Sequence, residues 1–198
     1  MADRIAILGW GSLLWDLDDL AEHVHGDWMQ RAGPRLPMEF SRISAKRKDG
    51  LVVCLDPKVG VPCATHAIVS RADRIATARA DLARRERAPD HRVGWADISG
   101  RGESSMPEVI AQVAIWCEEN GWAGAVWTDL EPNFELNTGQ PFSVENGIAY
   151  LKTLSGENLT EALQYIRRAP PTTRTPLRRA LSRDPWWRDL VEAYSERS

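Results

Sequence analysis

The 198-residue sequence has few cysteines and no long apolar run. Its three cysteines, an odd number without regular spacing, argue against a secreted disulfide scaffold and fit a reducing compartment. No run of about 18 apolar residues occurs, so no membrane-spanning helix is expected. The N-terminus enters an apolar pattern without a charged leader or a cleavage site. These absences together predict a cytoplasmic protein.

The sequence also lacks a strong excess of charge of one sign. Lysine plus arginine number 25 and aspartate plus glutamate 28, for a net charge of -3. The net charge of the whole chain therefore does not favour binding to nucleic acid or to an anionic membrane. From Ile166 onward, however, eight arginines face four acidic residues. This basic tail is either a surface for a partner or acidic ligand, or a helical appendage that docks Trp186 and Trp187 on an acidic body.

Metal ligands are sparse as well. Only Cys63 and His66 have ligand-like spacing, and dedicated zinc sites usually show two such pairs. No feature near Cys54, Cys63 or Cys117 would activate a thiol, so all three are expected to be buried small hydrophobes. We therefore predict neither a metal site nor a cofactor.

Short apolar segments separated by turn signals predict strands, and amphipathic patterns predict helices between and after them. Strands are predicted at Ile5–Leu8, Met38–Ser44, Leu51–Leu55, Ala64–Val69, Val93–Ala96 and Ala123–Trp127. Helices are predicted at Ser70–Arg87, from a Ser105–Glu108 capping box to Gly121, at Val144–Leu154, near Asn158–Arg168, and from Thr175–Pro176 and Asp184–Pro185. The result is an α+β domain over residues 1–169, followed by a helical tail packed on it over residues 170–198.

The first strand ends in a glycine-rich turn, Gly9-Trp10-Gly11-Ser12-Leu13. A dinucleotide-binding loop would need a third glycine where Leu14 stands, and no clean crossover helix follows. Two glycines do allow a sharp turn with successive N–H groups at Gly11, Ser12 and Leu13. Such a nest can hold a carboxylate or an oxyanion, although any tight turn after a strand also uses glycine.

Glu86 is the candidate catalytic carboxylate. On the Ser70–Arg87 helix it continues the stripe of Ile75 and Leu82 that should face the core, while its arginine neighbours should point away. Desolvation and the helix C-terminus would both disfavour its charge and make it a better base. The alternatives are that Glu86 pairs with Arg79, or that the last turn frays into solvent.

Two motifs resemble those of gamma-glutamylcyclotransferase-like proteins, especially the glutathione-specific ChaC type. Segment Ile7–Trp15 is similar to that family's Gly-Tyr-Gly-Ser-Leu-Ile-Trp opening, and Leu82–Glu86 resembles its Leu-x-x-Arg-Glu segment with the catalytic glutamate. Intervening strands follow in the family's order, and the likeness extends over about Ile5–Leu154. The resemblance implies a small, mixed or antiparallel closed β-barrel flanked by helices.

The resemblance also implies an activity. Such enzymes cleave a γ-glutamyl amide or peptide, glutathione among them, by attack of the substrate's own α-amine, releasing 5-oxoproline without metal or cofactor. Glu86 would be the base and then the acid, and Gly11, Ser12 and Leu13 would bind the substrate through their amides. Trp10 and Trp127 stand where the family commonly has tyrosine, so any role of a phenol oxygen is lost and the substrate is expected to differ.

Other functions remain open alternatives. The resemblance also implies a pocket between the glycine-rich turn and Glu86. The same fold and pocket could serve a non-catalytic module that binds an acidic small molecule or a peptide end. The basic tail with Trp186 and Trp187 could instead make this an interaction protein. Gly100–Trp122 and the tail lack a clear counterpart in the family, and could cover the pocket or form a homodimer face.

Overall fold

The computed structural model describes residues 4–196 and shows an α+β chain, as predicted. Two compact units are formed, one by residues up to Leu36 with Ala64–Glu131, the other by Pro37–Cys63 with the chain from Pro132 onward. The predicted boundary after residue 169 stays a prediction. None of the helices within residues 4–196 is long and apolar enough to cross a membrane.

Within residues 4–196, six strands precede the first α-helix, and five of the seven α-helices follow the last strand. The strands are β1 (Ile5–Gly9), β2 (Val24–Met29), β3 (Arg35–Ser44), β4 (Gly50–Leu55), β5 (Val61–Ala64), β6 (His66–Ser70), β7 (Val93–Asp97), β8 (Gly102–Glu103) and β9 (Gly124–Thr128). The α-helices are α1 (Ile75–Glu86), α2 (Pro107–Asn120), α3 (Phe134–Thr138), α4 (Val144–Thr153), α5 (Gly156–Arg168), α6 (Pro176–Leu181) and α7 (Pro185–Ser195).

The first unit is built on a sheet of six strands in the order β2-β6-β1-β9-β7-β8. Every residue of β1 is buried, which agrees with its continuous apolar sequence and its central place. β1 pairs antiparallel with β6 and parallel with β9, Leu8 lying opposite Trp127. Helix α1 packs on β9, β7 and β1, and α2 packs on β7 and β9.

Both predicted capping boxes in this unit are wrong. Helix α1 begins at Ile75 rather than Ser70, because the Ser70 hydroxyl accepts a hydrogen bond from the amide of Ala72 (3.1 Å) within a turn. Helix α2 begins at Pro107 without a side-chain cap. The Ser105 hydroxyl donates to the Asp129 carboxylate instead (3.0 Å).

The second unit combines a small sheet with the later helices. Its sheet has the order β4-β3-β5, and β4 is buried along its whole length under α5. The predicted starts of the tail helices are confirmed, since Thr175 and Asp184 cap α6 and α7 by accepting the amides of Arg178 and Trp187. Leu177, Leu181 and Trp187 of these helices are buried.

The predicted closed barrel is not confirmed. The strand pairings within residues 4–196 form two sheets, one of six strands and one of three, each with two edge strands. A closed barrel would require the first and last strands of one sheet to pair.

Trp127 in the first unit packs directly on Gly94 of the neighbouring strand. The Trp127 side chain has no exposed surface, and a Cβ atom added to Gly94 would lie 2.3 Å from its Nε1 atom. Gly94 therefore provides the space that the large indole ring occupies.

Gly94→Ala should lower the free energy of unfolding by about 1–3 kcal/mol, because a close-packed core accommodates an extra carbon only with strain. Equilibrium urea unfolding measures this change. Trp127→Phe shrinks the ring at the point of contact, so the double variant should lose less stability than the sum of the single variants. Strict additivity of the two losses would contradict the proposed packing.

A buried carboxylate connects β3 to α6 in the second unit. Glu39 is 1% exposed, and its oxygens accept hydrogen bonds from the amides of Phe40 (2.7 Å) and Leu177 (3.2 Å). Burial raises the pKa of Glu39, and the nearby Asp56 carboxylate adds to the rise, while hydrogen bonds from Thr175 and these amides oppose it. The folded state thus binds a proton at Glu39 more tightly than the unfolded chain does.

The stabilising contribution of Glu39 should therefore be complete below the unfolded-state pKa and decline as the pH rises through the folded-state pKa. The measurement is the difference in unfolding free energy between wild type and Glu39→Gln at several pH values from 4 upward. This difference should shift in favour of the variant as the pH rises. A constant difference, or a shift in favour of wild type, would contradict the assignment.

Candidate functional site

The candidate site lies in the first unit, where the parallel strands β1 and β9 both end. Leu8 pairs with Trp127, so the residues that follow them emerge at the same edge of the sheet. Gly9-Trp10-Gly11 leaves β1 there, and Thr128 is the last residue of β9. The carboxyl ends of parallel strands are where α/β proteins commonly assemble ligand sites.

The turn after β1 is a single 3-10 turn, Ser12–Leu14. The carbonyl oxygens here accept hydrogen bonds from nearby amides. The Gly11 oxygen accepts one from Leu14 (3.0 Å), and the Ser12 oxygen accepts one each from Trp15 (3.1 Å) and Asp16 (2.9 Å). Within residues 4–196, the amides of Gly11, Ser12 and Leu13 donate no hydrogen bond. The turn thus has the three available donors that were predicted.

Glu86 is the last residue of α1, and the chain turns away immediately after it because Arg87 adopts a left-handed conformation (φ 53°). The side chain of Glu86 is 13% exposed. Its Oε1 atom accepts hydrogen bonds from Arg85 Nη1 (2.7 Å) and from the Thr128 hydroxyl (3.2 Å). No residue in the described part of the chain donates to Oε2.

Both structural alternatives for Glu86 can now be judged. Arg79 does not pair with it, because the Arg79 side chain donates to the carbonyls of Asp90 and Val93 and to Glu103. The last turn of α1 does not fray into solvent, since the Glu86 side chain is only 13% exposed and its Oε1 atom accepts two hydrogen bonds. One carboxylate oxygen is fixed and the other is open, which is a suitable arrangement for accepting a proton from a bound molecule.

The predicted orientation of Arg85 is wrong. Arg85 was expected to point away from the core, but its side chain is only 2% exposed. The buried stripe of α1 runs through Ala78, Leu82 and Arg85, and Glu86 lies at its edge. The charge of Glu86 is consequently balanced by an adjacent guanidinium, rather than left in an apolar environment.

Arg85 also contacts the segment that follows the turn. Its Nε and Nη2 atoms both donate to the carbonyl oxygen of Asp16, the Nε contact at 3.2 Å. The amide of Asp16 in turn donates to Ser12. A continuous set of hydrogen bonds therefore joins the glycine-rich turn to Glu86, the two features that the sequence singled out.

Three other predicted site residues are buried. Trp10 is 5% exposed, Leu13 4% and Trp127 0%. Within residues 4–196, the Trp127 indole N–H has no acceptor. Trp127 thus supports the end of β9 by packing, and contact of Trp10 or Trp127 with a substrate stays a prediction.

The cysteines lie outside this site's chemistry. Cys54, Cys63 and Cys117 are buried, and none of them forms a disulfide within residues 4–196. Desolvation raises the pKa of Cys54 and that of Cys117 each to about 12. In the described residues, no three histidine, cysteine, aspartate or glutamate side chains are grouped so that they could hold a metal ion.

Comparisons with models of known protein families, with curated protein sequences and with solved structures give no match. Function therefore has to be inferred from the geometry of the site.

Thr128 and Arg85 are the site residues that sequence reasoning missed. Thr128 directly follows the predicted strand Ala123–Trp127, and a polar residue at that position was the available signal. Arg85 gave no signal, because residues adjacent in a helix normally project about 100° apart.

The buried thiols should react very slowly with a water-soluble thiol reagent at pH 8 in the folded protein. Their burial excludes the reagent, and the raised pKa of Cys54 and of Cys117 leaves almost no thiolate. Urea should release three reactive thiols per chain. Labelling of any cysteine in the native protein at the rate of a free thiol would contradict the structure.

Proposed function

We propose that this protein is a gamma-glutamylcyclotransferase-like enzyme that cleaves a γ-glutamyl amide or peptide and releases 5-oxoproline. The observation that carries the proposal is the carboxylate of Glu86, with Oε1 fixed by two donors and Oε2 open. It is joined by hydrogen bonds to a turn with three available amides. The resemblance of Ile7–Trp15 and Leu82–Glu86 to that family supports the same conclusion. The closed β-barrel that the resemblance implies is part of the proposal.

In the proposed reaction, the neutral α-amino nitrogen of the γ-glutamyl substrate attacks the γ-carbonyl carbon and forms the ring C–N bond. Glu86 Oε2 takes one proton from this nitrogen as the bond forms. The original amide C–N bond then breaks, and Glu86 returns the proton to the leaving nitrogen. The products are 5-oxoproline and an amine or amino acid, with no oxidant or reductant required.

The turn would contribute electrostatic stabilisation. The amides of Gly11, Ser12 and Leu13 can bind a polar end of the γ-glutamyl group or the oxygen that becomes negative during attack. Because nucleophile and electrophile belong to one molecule, correct orientation alone can be worth roughly 7–11 kcal/mol. The chemistry therefore demands little more than one positioned base and a few amide donors.

The acceptor side of the substrate is expected to differ from that of tyrosine-containing relatives. Trp10 directly follows β1 and stands where the motif of the gamma-glutamylcyclotransferase-like family has tyrosine. An indole N–H donates a hydrogen bond but accepts none, so a substrate group that requires an acceptor here would bind poorly.

A second candidate function is a non-catalytic module that binds an acidic small molecule or a peptide end. The ion pair between Arg85 and Glu86 favours this second function, because a paired carboxylate can have a purely structural role. The amides of the turn would then bind a ligand without any reaction at Glu86. Thermal-shift measurements with γ-glutamyl compounds distinguish the two functions. Stabilisation without turnover, unchanged in Glu86→Gln, would favour binding alone.

Glu86→Gln should reduce 5-oxoproline release by about 10²–10⁴-fold, the usual contribution of a general base. Mass spectrometry of reactions with glutathione, γ-glutamyl dipeptides and γ-glutamyl amines measures the release. The matched control is Glu108→Gln, which removes an exposed carboxylate in the first turn of α2 and should leave the rate unchanged. Full activity in Glu86→Gln would exclude the mechanism.

A further inference from the structure

Arg85 is a cationic side chain that is only 2% exposed and contacts the candidate site. Its guanidinium contributes Nη1 to Glu86 Oε1 and both Nε and Nη2 to the Asp16 carbonyl. The Asp16 carboxylate lies further away, with its Oδ2 atom 4.0 Å from Nη2. One rigid fork therefore connects the catalytic candidate on α1 with the segment that follows the glycine-rich turn.

This contact differs from an ordinary surface ion pair. Neighbouring residues in a helix do not face each other, and the Arg85–Glu86 pair is possible here because α1 ends at Glu86. Burial of a guanidinium is costly unless its N–H groups are satisfied. The Glu86 carboxylate and the Asp16 carbonyl together satisfy both sides of the fork.

The other charged groups near this position have different partners. Arg87 pairs with Asp18 at 3.8 Å, and both side chains are exposed. Arg84 pairs with Asp81 and lies within 3.4 Å of His23. Among the described ion pairs, the only cation on Glu86 is that of Arg85.

We propose that Arg85 is a positioning residue for the reaction proposed above. By holding Oε1 of Glu86 and the carbonyl of Asp16 together, it aims Oε2 at a substrate that rests on the amides of the turn.

Arginine is required by geometry and not by charge alone. A lysine ammonium is a compact point charge that can neutralise Glu86, but it lacks the planar fork needed to hold the Asp16 carbonyl at the same time. Arg85→Lys and Arg85→Met therefore separate the two contributions. Arg84→Met is the matched control. It removes the same charge at the neighbouring position, where the Arg84 side chain is 53% exposed.

With γ-glutamyl substrate, Arg85→Lys should lower kcat by about tenfold and Arg85→Met by about 100-fold or more, KM changing far less. Arg84→Met should behave as wild type. A loss in Arg85→Lys that appears only in KM, or an equal loss in Arg84→Met, would overturn the positioning role.

Hydrogen exchange provides a readout that needs no turnover. The amides of Trp15 and Asp16 donate to Ser12 inside the turn, whereas those of Ala123 and Asp129 donate to Arg4 and Arg92. In Arg85→Lys, the first two amides should exchange at least tenfold faster and the last two at the wild-type rate. Unchanged exchange at Trp15 and Asp16, or equal acceleration at all four amides, would overturn the coupling.

The two readouts separate failure of this inference from failure of the proposed function. If wild-type protein forms no 5-oxoproline, the proposed function fails, and selective acceleration at Trp15 and Asp16 still shows that Arg85 couples the turn to Glu86. If wild type is active and both kcat and exchange are unaffected in Arg85→Lys, the proposed function stands and Arg85 has no positioning role.

Discussion

The parallel pairing of β1 with β9 is the constraint on which the candidate site depends. Residues far apart in the chain reach one edge of the sheet only because Leu8 and Trp127 are in register. An antiparallel pairing would place the turn after β1 and Thr128 at opposite ends of the sheet. Helix α1 packs on both strands, and its last residue reaches the same edge.

Two partly or fully buried carboxylates illustrate how environment separates structural from chemical roles. Glu39 is held by Phe40 and Leu177 amides without a cation among the groups that shift its pKa, and both of its oxygens are occupied. Glu86 has a guanidinium on one oxygen and an open second oxygen. Of these two carboxylates, only Glu86 keeps an oxygen without a hydrogen-bond donor from the described residues, which is why Glu86 is the better catalytic candidate.

Much of the chain's local structure could be predicted from apolar periodicity and cap residues. The buried strand β1, the strand β9 apart from its last residue, and the tail-helix caps Thr175 and Asp184 are examples. The capping boxes at Ser70 and Ser105 failed because each hydroxyl has another hydrogen-bond partner, which for Ser70 is the amide of Ala72 in a local turn. At Ser105 that partner was Asp129, a residue distant in sequence.

The site itself was predicted only in part, for a related reason. Position on a helix placed Glu86 beside the core, but helical periodicity does not describe side chains where the helix ends, so Arg85 was assigned to the wrong face. Strand register was also beyond local patterns, which is why Thr128 was missed and why closure of a barrel stays a prediction. Pairing between distant segments depends on the whole fold.

In the proposed function, Glu86 Oε2 accepts a proton from the α-amino group of a γ-glutamyl substrate that the turn holds. Its most direct test is a crystal structure of Glu86→Gln with a γ-glutamyl substrate trapped in it. The account predicts the α-amino nitrogen within about 2.6–3.2 Å of the residue 86 side chain and a polar end of the substrate on the amides of Gly11, Ser12 and Leu13. A substrate bound elsewhere, or one whose amine points away from residue 86, would contradict it.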